Sequence, residues 1–196
     1  MRTVLAIGAH YDDVELGVGC ILQKHVEAED NIYIVITSSD EQLSGSKHIR
    51  EAEQYSAMKI LGISQDNLIL FNEDDALSRV IGELDRLNPD LVYGHYGKDT
   101  HQAHRRAHNI ANAISRKPGI ELLYYNSGSA YDFLPTVFSE VGEVFKLELL
   151  TKFDTQIKKR NINIEAVEKR EGAWGLNLKQ GGRAEALLPQ KLEYKL

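Results

Sequence analysis

The sequence predicts an α/β fold of Rossmann-like type: a mostly parallel sheet flanked by helices, with the active site at the carboxyl ends of the strands. Three observations carry that prediction. Apolar, β-branched runs alternate with segments of helical periodicity through the first 125 residues. The first run, Val4-Leu5-Ala6-Ile7-Gly8, leads at once into the polar cluster Ala9-His10-Tyr11-Asp12-Asp13-Val14-Glu15. A second polar cluster, His95-Tyr96-Gly97-Lys98-Asp99-Thr100-His101-Gln102-Ala103-His104, follows the fourth run. In open α/β sheets the ligand crevice lies outside the carboxyl ends of the strands, where both clusters fall.

The spacing predicts strands over 3–8, 31–37, 67–71, 90–93 and 120–125. Between them, 15–28, 47–61, 76–87 and 101–116 carry apolar residues at helical spacing, as Ala52, Tyr55, Met58 and Leu61 do. Parallel neighbours joined by helices require right-handed crossovers. Gly62 and the pair Asn88-Pro89 stop the second and third helices. Beyond Asn126 the pattern loosens, with Gly128, Pro135, an amphipathic stretch over 144–160 and a polar tail around 180–182. It predicts a helix plus irregular segments closing over the sheet. The length fits one core, so residues 1–196 are read as a single domain.

With 23 basic against 29 acidic residues the net charge is −6. That balance argues against a nucleic-acid backbone or an anionic membrane as partner and favours a small soluble substrate. The lone cysteine, Cys20, excludes an intrachain disulfide and is expected as a buried small residue of the first helix. The apolar run before His10 is too short for a secretory signal, and no run approaches the ~20 apolar residues of a membrane helix. A cytoplasmic protein without stable membrane insertion is expected.

The two clusters contain the residue types of a catalytic zinc site, which takes three N, O or S ligands and leaves a position for water. His10, Asp13 and His104 would supply two nitrogens and one oxygen. Asp12, next to a ligand, is placed to take a proton as general base. His101, three residues before His104, would stabilise an oxyanion or pass a proton to a leaving amine. Blander readings exist for each part. An Asp-Asp pair after a strand can be a helix cap with a solvated neighbour, and this chain has seven histidines. His108, in helical register with His104, is an alternative ligand one turn deeper.

These residues bring the sequence to a family: it resembles the PIG-L/LmbE-like zinc-dependent N-acetylglucosaminyl deacetylases. The family motif Ala-His-Pro-Asp-Asp-x-Glu is matched by Ala9-His10-Tyr11-Asp12-Asp13-Val14-Glu15. Its second motif, Asp-x-His-x-Asp-His-Arg, is matched by Asp99-Thr100-His101-Gln102-Ala103-His104-Arg105. Arg50-Glu51-Ala52-Glu53, running to Leu61-Gly62-Ile63, resembles the family's arginine-containing helix. Asn88-Pro89-Asp90-Leu91-Val92 resembles the strand before the second motif, and Phe133-Leu134-Pro135-Thr136-Val137-Phe138 a late strand. The resemblance implies zinc on His10, Asp13 and His104, Asp12 as base, His101 as oxyanion stabiliser or acid, and Arg50 as a substrate-holding residue. It implies hydrolytic removal of the N-acetyl group from an amino sugar or its conjugate. Another divalent transition metal, such as iron or cobalt, is compatible with these ligand types, and homo-oligomers occur among the relatives.

The departures matter as much as the matches. Tyr11 stands where the family has proline, which would fix φ, and is expected to form a wall of the pocket. Ala103 stands where the family has a carboxylate, whose loss can cost about 10–100-fold in metal affinity or activity. Gly17-Val18-Gly19 resembles a fragment of a dinucleotide fingerprint, but acidic residues precede it and a nucleotide cofactor is rejected. Trp174 is read as core or interface rather than a sugar-stacking surface. Substrate choice is assigned to loops around 127–134 and 174–182. Two further functions stay open: hydrolysis of another amide, such as an acylated nucleotide sugar or antibiotic precursor, and a non-catalytic zinc- or sugar-binding module.

Overall fold

The computed structural model describes residues 1–39 and 47–192. The sheet is built around β1 (Thr3–Gly8), buried from Val4 onward because its side chains alternate between two apolar layers. Val4 and Ala6 join one core cluster with Ile34, Met58 and Leu149, whereas Leu5 and Ile7 join another with Val80, Ala107 and Ile110. Covering both faces of a strand requires an unbroken apolar run, which is what residues 4–7 provide.

Parallel to β1 run β2 (Asn31–Ile36), β3 (Leu68–Leu70), β4 (Leu91–His95) and β5 (Glu121–Tyr125). They alternate with α1 (Asp13–Glu27), α2 (Lys47–Leu61), α3 (Leu77–Asp85) and α4 (Gln102–Ser115), as the periodicity predicts. The strand order is β3-β2-β1-β4-β5-β7-β6. Strand order therefore reverses between β1 and β4. The chain leaves β1 through α1, on one face, and β4 through α4, on the other. A crevice opens between the two connections.

Beyond β5 the structure corrects the sequence reading. The amphipathic stretch 144–160 is two helices, α5 (Glu143–Leu150) and α6 (Asp154–Lys158), separated at Phe153, which is fully buried with φ −92° and ψ 54°. A third helix, α7 (Ile164–Gly175), is capped by Asn163, whose side chain accepts the Ala166 N–H at 3.1 Å. Two strands, β6 (Val137–Glu140) and β7 (Ala184–Lys191), replace the expected irregular segments. β7 lies antiparallel between β5 and β6, and the expected late strand begins only at Val137. Pro189 cannot donate to the ladder, and the β5–β7 register shifts beside it, between Leu122 and Leu123.

α1 is bent. Val18 sits at φ −141° and ψ 16°, inside Gly17-Val18-Gly19. A Cβ on Gly17 would lie 2.1 Å from the Tyr125 ring, and one on Gly19 would lie 2.5 Å from Leu149. Close packing, and not a pyrophosphate, thus accounts for both glycines. The bend leaves backbone groups without helical partners, and a buried ionic cluster takes them. Lys146 Nζ on α5 donates to the carbonyls of Glu15 (2.7 Å) and Leu16 (3.2 Å). Glu185 on β7 accepts the N–H groups of Cys20 and Ile21, both at 2.8 Å. Lys146 and Glu185 pair at 2.6 Å, and Glu171 of α7 stands 3.2 Å from the same ammonium. Cys20 is buried in the first helix, as expected.

Removing one member of a buried ion pair leaves the other charge uncompensated, at a cost of about 3–5 kcal/mol. Lys146→Met is expected to lower unfolding free energy by that amount in urea titration. A loss below about 1 kcal/mol would show that water, not the ammonium, satisfies Glu185 and the α1 carbonyls.

Candidate metal centre

The first cluster is shaped by the exit from β1. The β1–β2 ladder continues into the loop, with Thr37 N–H donating to the Gly8 carbonyl (3.0 Å) and Ser38 N–H to that of Ala9 (2.9 Å). Asp12 then takes φ +104°, a left-handed conformation at the N-cap of α1 without a side-chain capping bond. Asp13 Oδ2 closes the turn by accepting the N–H groups of His10 (2.8 Å) and Ala9 (3.2 Å). Its other oxygen, Oδ1, stands 3.3 Å from His104 Nε2, while His10 Nδ1 is 3.3 Å from Oδ2. The three residues named as ligands from sequence are therefore brought together around one carboxylate.

The second cluster contributes from the end of β4 and the start of α4. His101 is the N-cap of α4, in extended conformation, so the helix begins one residue after it. Its exposed ring nevertheless stacks on His104 (4.7 Å, 21°) and meets His10 edge-on at 4.7 Å. Two overlapping triplets of ligand type result among the described residues, His10-His101-His104 and Asp13-His95-His104. The sequence-named trio is divided between them. His108 is not part of either. Its Nδ1 contacts the His95 carbonyl (2.9 Å) and its Nε2 contacts Asn112 (2.9 Å), which removes it as an alternative ligand.

His95 was missed as a site residue. The last residue of β4 and fully buried, it lies with Nε2 3.3 Å from Asp13 Oδ2 and its ring stacked on His104 at 4.2 Å. Burial pushes its pKa down to about 4, against the pull of Asp13, so it is neutral. Its position at the carboxyl end of a central strand was the available signal.

Asp99 answers the question raised by Ala103. Its Oδ2 accepts from His104 Nδ1 at 3.0 Å, and its Oδ1 takes the His101 N–H (2.8 Å) and the Ser129 hydroxyl (2.7 Å). The carboxylate fixes the His104 tautomer and turns Nε2 toward Asp13. Although burial opposes it, the neighbouring Asp13 and Asp99 carboxylates raise the His104 pKa to about 10 in the metal-free chain. Ala103 itself is buried in the apolar layer beneath α4.

Asp12 and Asp13 are driven in opposite directions. Burial, reinforced by the charge of Asp13, lifts Asp12 well above the usual carboxylate range, with Arg50 opposing. Burial acts on Asp13 as well, but the charge of His104 and the hydrogen bonds from His10 and His104 outweigh it and hold the carboxyl low. Arg50 is buried, and its Nη2 contacts both the Tyr11 carbonyl and Asp12 Oδ2, the latter at 3.1 Å. Tyr11 is part of the core, with the Arg50 guanidinium 5.6 Å from its ring centre, and it does not wall the cavity. Glu15 faces away from the cavity toward α2, where its Oε1 accepts from Gln54 Nε2 at 2.6 Å; burial raises its pKa to about 7.

The cavity above these groups measures about 560 Å³. His10, Asp12, Asp13, Arg50 and His104, all buried, line its floor, with the exposed His101 at its rim. Its walls come from Ser127, Gly128 and Ser129 after β5, and from Asn161 through Arg170 around the start of α7. Residues 176–182 form turns, but none of 174–182 lines the cavity; the wall expected from them comes from the start of α7. Trp174 packs edge-on against Phe133 (6.0 Å) and outside the cavity, a structural role as read from the sequence.

Comparison with known proteins places this arrangement. Residues 5–115 match the family model described as PIG-L: GlcNAc-PI de-N-acetylase. A protein of Escherichia coli (strain K12) named uncharacterized deacetylase YaiS is 32% identical over 169 residues, covering 77% of this chain and 90% of that protein. Two solved structures share the fold at lower identity. The 4-carboxy-2-hydroxymuconate hydratase GalB of Pseudomonas putida KT2440 is 18% identical with a TM-score of 0.77, covering 100% of this chain and 99% of that one. The N,N'-diacetylchitobiose deacetylase of Pyrococcus horikoshii is 18% identical with a TM-score of 0.73, covering 96% and 84%.

If Asp99 orients His104 for a metal, Asp99→Ala should weaken divalent-metal affinity about 10–100-fold in chelator competition. Unchanged affinity would assign Asp99 to loop structure alone.

Proposed function

The chain belongs to the PIG-L family, a family of amide-cleaving deacetylases whose model matches more than half of it, and on that premise we propose a zinc-dependent hydrolase that removes the N-acetyl group from an amino sugar or its conjugate. The observation that carries the reading is the convergence of two separate loops on Asp13, with a second carboxylate, Asp12, beside it and driven the other way in pKa. The fold alone would not choose the reaction, since a hydratase shares it.

The donor set fits a divalent metal. His10 and His104 offer imidazole nitrogen and Asp13 a carboxylate held in its charged form, a combination suited to zinc with a position left for water. Other first-row divalent ions share the preference for such ligands. When bound, the metal supplies Lewis acidity that acidifies water and polarises the amide carbonyl.

The protein residues do the rest. Asp12 lines the cavity with a pKa raised above the ordinary range, so its carboxylate suits taking a proton from the attacking water and later passing it on. Arg50 holds that carboxylate in place through its 3.1 Å contact and acts on substrate through Asp12. His101, exposed at the cavity rim, is placed to stabilise the oxyanion or protonate the departing amine. Asp99 keeps His104 oriented despite Ala103. The retained base and rim histidine favour an active enzyme over a non-catalytic module. No helix among the described residues is long and apolar enough to cross a membrane, which fits a small soluble substrate met in the cytoplasm, with residues 1–196 acting as one domain, alone or as a homo-oligomer.

Acetate release from N-acetylglucosamine derivatives by zinc-reconstituted protein tests the reading. Asp12→Asn should retain the metal and slow turnover by about 10²-fold or more, and full activity would remove Asp12 from the mechanism. His104→Ala should lose the metal, and unchanged metal content would overturn the ligand assignment.

A further inference from the structure

Besides its histidines, the cavity is lined by two carboxylates, Asp12 and Asp13, and two guanidinium groups, Arg50 and Arg170. The first three are accounted for above: Arg50 contacts Asp12, and Asp13 stands among the histidines. Arg170, on α7, is different. Among the described residues no carboxylate lies within ion-pair distance of it. Its hydrogen bonding there amounts to one long contact, 3.5 Å from Nη2 to the Leu16 carbonyl, and its Nε is buried without a partner. Glu171 and Glu185 act on it only through their fields. Glu185 is paired with Lys146 at 2.6 Å and Glu171 with Arg183 at 2.6 Å. Burial accordingly pulls the Arg170 pKa below its ordinary value, as expected of a cation withdrawn from water without a contacting counter-charge.

The guanidinium is nevertheless held in place. It lies 5.2 Å from the centre of the Trp174 ring, and Trp174 is braced edge-on by Phe133. Leu16, which Arg170 reaches, is one helical turn from Asp13, or about 5 Å along α1. Nη1 lies against Gly128, where a Cβ would approach it to 3.3 Å. A planar donor array with fixed orientation and unused hydrogen-bonding capacity, lining the same cavity as the Asp13 cluster, is suited to an oxyanion. A metal bound at the floor would add to the positive charge that such a group meets.

We propose that Arg170 is a specificity-determining residue that binds an anionic group, carboxylate or phosphate, on the acetamido sugar. This deepens the amide-hydrolase reading and rests on it for the acetamido end of the substrate. It assigns a function to α7, which the sequence did not reveal, and gives the chain a preference for acidic sugars over neutral ones.

Calorimetric binding to the metal-loaded full chain tests it, with N-acetylglucosamine as the neutral probe and N-acetylglucosamine 6-phosphate and N-acetylmuramic acid as the phosphate and carboxylate probes. At least one anionic sugar should bind about tenfold or more tightly than the neutral one, a preference that shrinks as salt is raised. Comparing the two anionic arms identifies the anion. In Arg170→Gln the preference should disappear while neutral-sugar binding stays within about twofold; Arg170→Lys should retain part of it. Equal binding of all three sugars by the unaltered chain overturns the proposal, as does an equal loss for charged and neutral sugars in Arg170→Gln. Should Arg170→Gln fail to fold, the salt series and Arg170→Lys decide. Acetate release measured in parallel separates the two levels. Arg170-dependent binding without release upholds the anion site and overturns hydrolysis of these amides, whereas release with no charge preference does the reverse.

Discussion

The bend in α1 and the buried Lys146–Glu185 pair that spans it are the constraint on which the rest of the structure depends. α1 packs closely on Tyr125, whose hydroxyl donates to the Ile7 carbonyl at 2.8 Å and whose ring lies 4.8 Å from His95. Gly17 leaves room for that ring, the helix bends at Val18, and two backbone groups on each side of the bend find partners outside the helix. Lys146 supplies the positive end and Glu185 the negative end. α5 and β7, both from the C-terminal part of the chain, are thereby tied to the helix that begins with Asp13. Glu171 extends the tie to α7, and its neighbour Arg170 is turned into the cavity. One ionic cluster thus ties the helix that follows the His10–Asp13 loop to the helix that walls the cavity.

Within the site, two consecutive carboxylates are driven in opposite directions by their surroundings. Pairs of titratable groups whose surroundings push their pKa values apart identify acid–base roles. Asp13 is surrounded by imidazoles and backbone N–H groups, so the charged form is favoured and the residue is suited to holding a cation. Asp12 is equally buried but meets chiefly the like charge of Asp13, with Arg50 as the counterweight. The left-handed φ of Asp12 makes the separation possible, because it turns adjacent side chains to different surroundings. A non-glycine residue in such a conformation carries strain of about 1–3 kcal/mol, commonly found where function requires it.

The first five strands and their helices were legible because each carries a strong period: unbroken apolar runs for buried parallel strands, and apolar positions three and four apart for helices. The clustering of His10, Asp13 and His104 was legible because such residue types are rare together at strand ends. What escaped is explained by competing signals. β7 contains Pro189, which argues against a strand, and its inward Glu185 breaks the apolar alternation because it serves the α1 bend and not the core. α7 buries only Val167, Glu171 and Gly175, one of them charged, and so lacks a readable apolar face. His95 stood at the head of the second polar cluster but received no role, because it precedes the matched motif that begins at Asp99. The cavity wall at 161–170 could not be foreseen once α7 was missing from the reading.

The two departures from the family pattern show how local rules can be satisfied by distant residues. Proline before Asp12 would fix the loop through its ring; Tyr11 cannot, yet its carbonyl and the next carboxylate are both gripped by Arg50 from α2, and its ring is anchored in the core. A carboxylate at position 103 would sit beside His104; Ala103 instead fills the apolar layer, and Asp99 reaches His104 from the preceding loop, itself fixed by Ser129 and the His101 N–H. In both cases a covalent or adjacent constraint is replaced by a hydrogen-bonded one from another element. Loop rigidity then depends on α2 and on the segment after β5, the same elements that line the cavity. The contacts that stand in for the family's proline and aspartate thus join Asp12 and His104 to the cavity walls through Arg50 and Ser129.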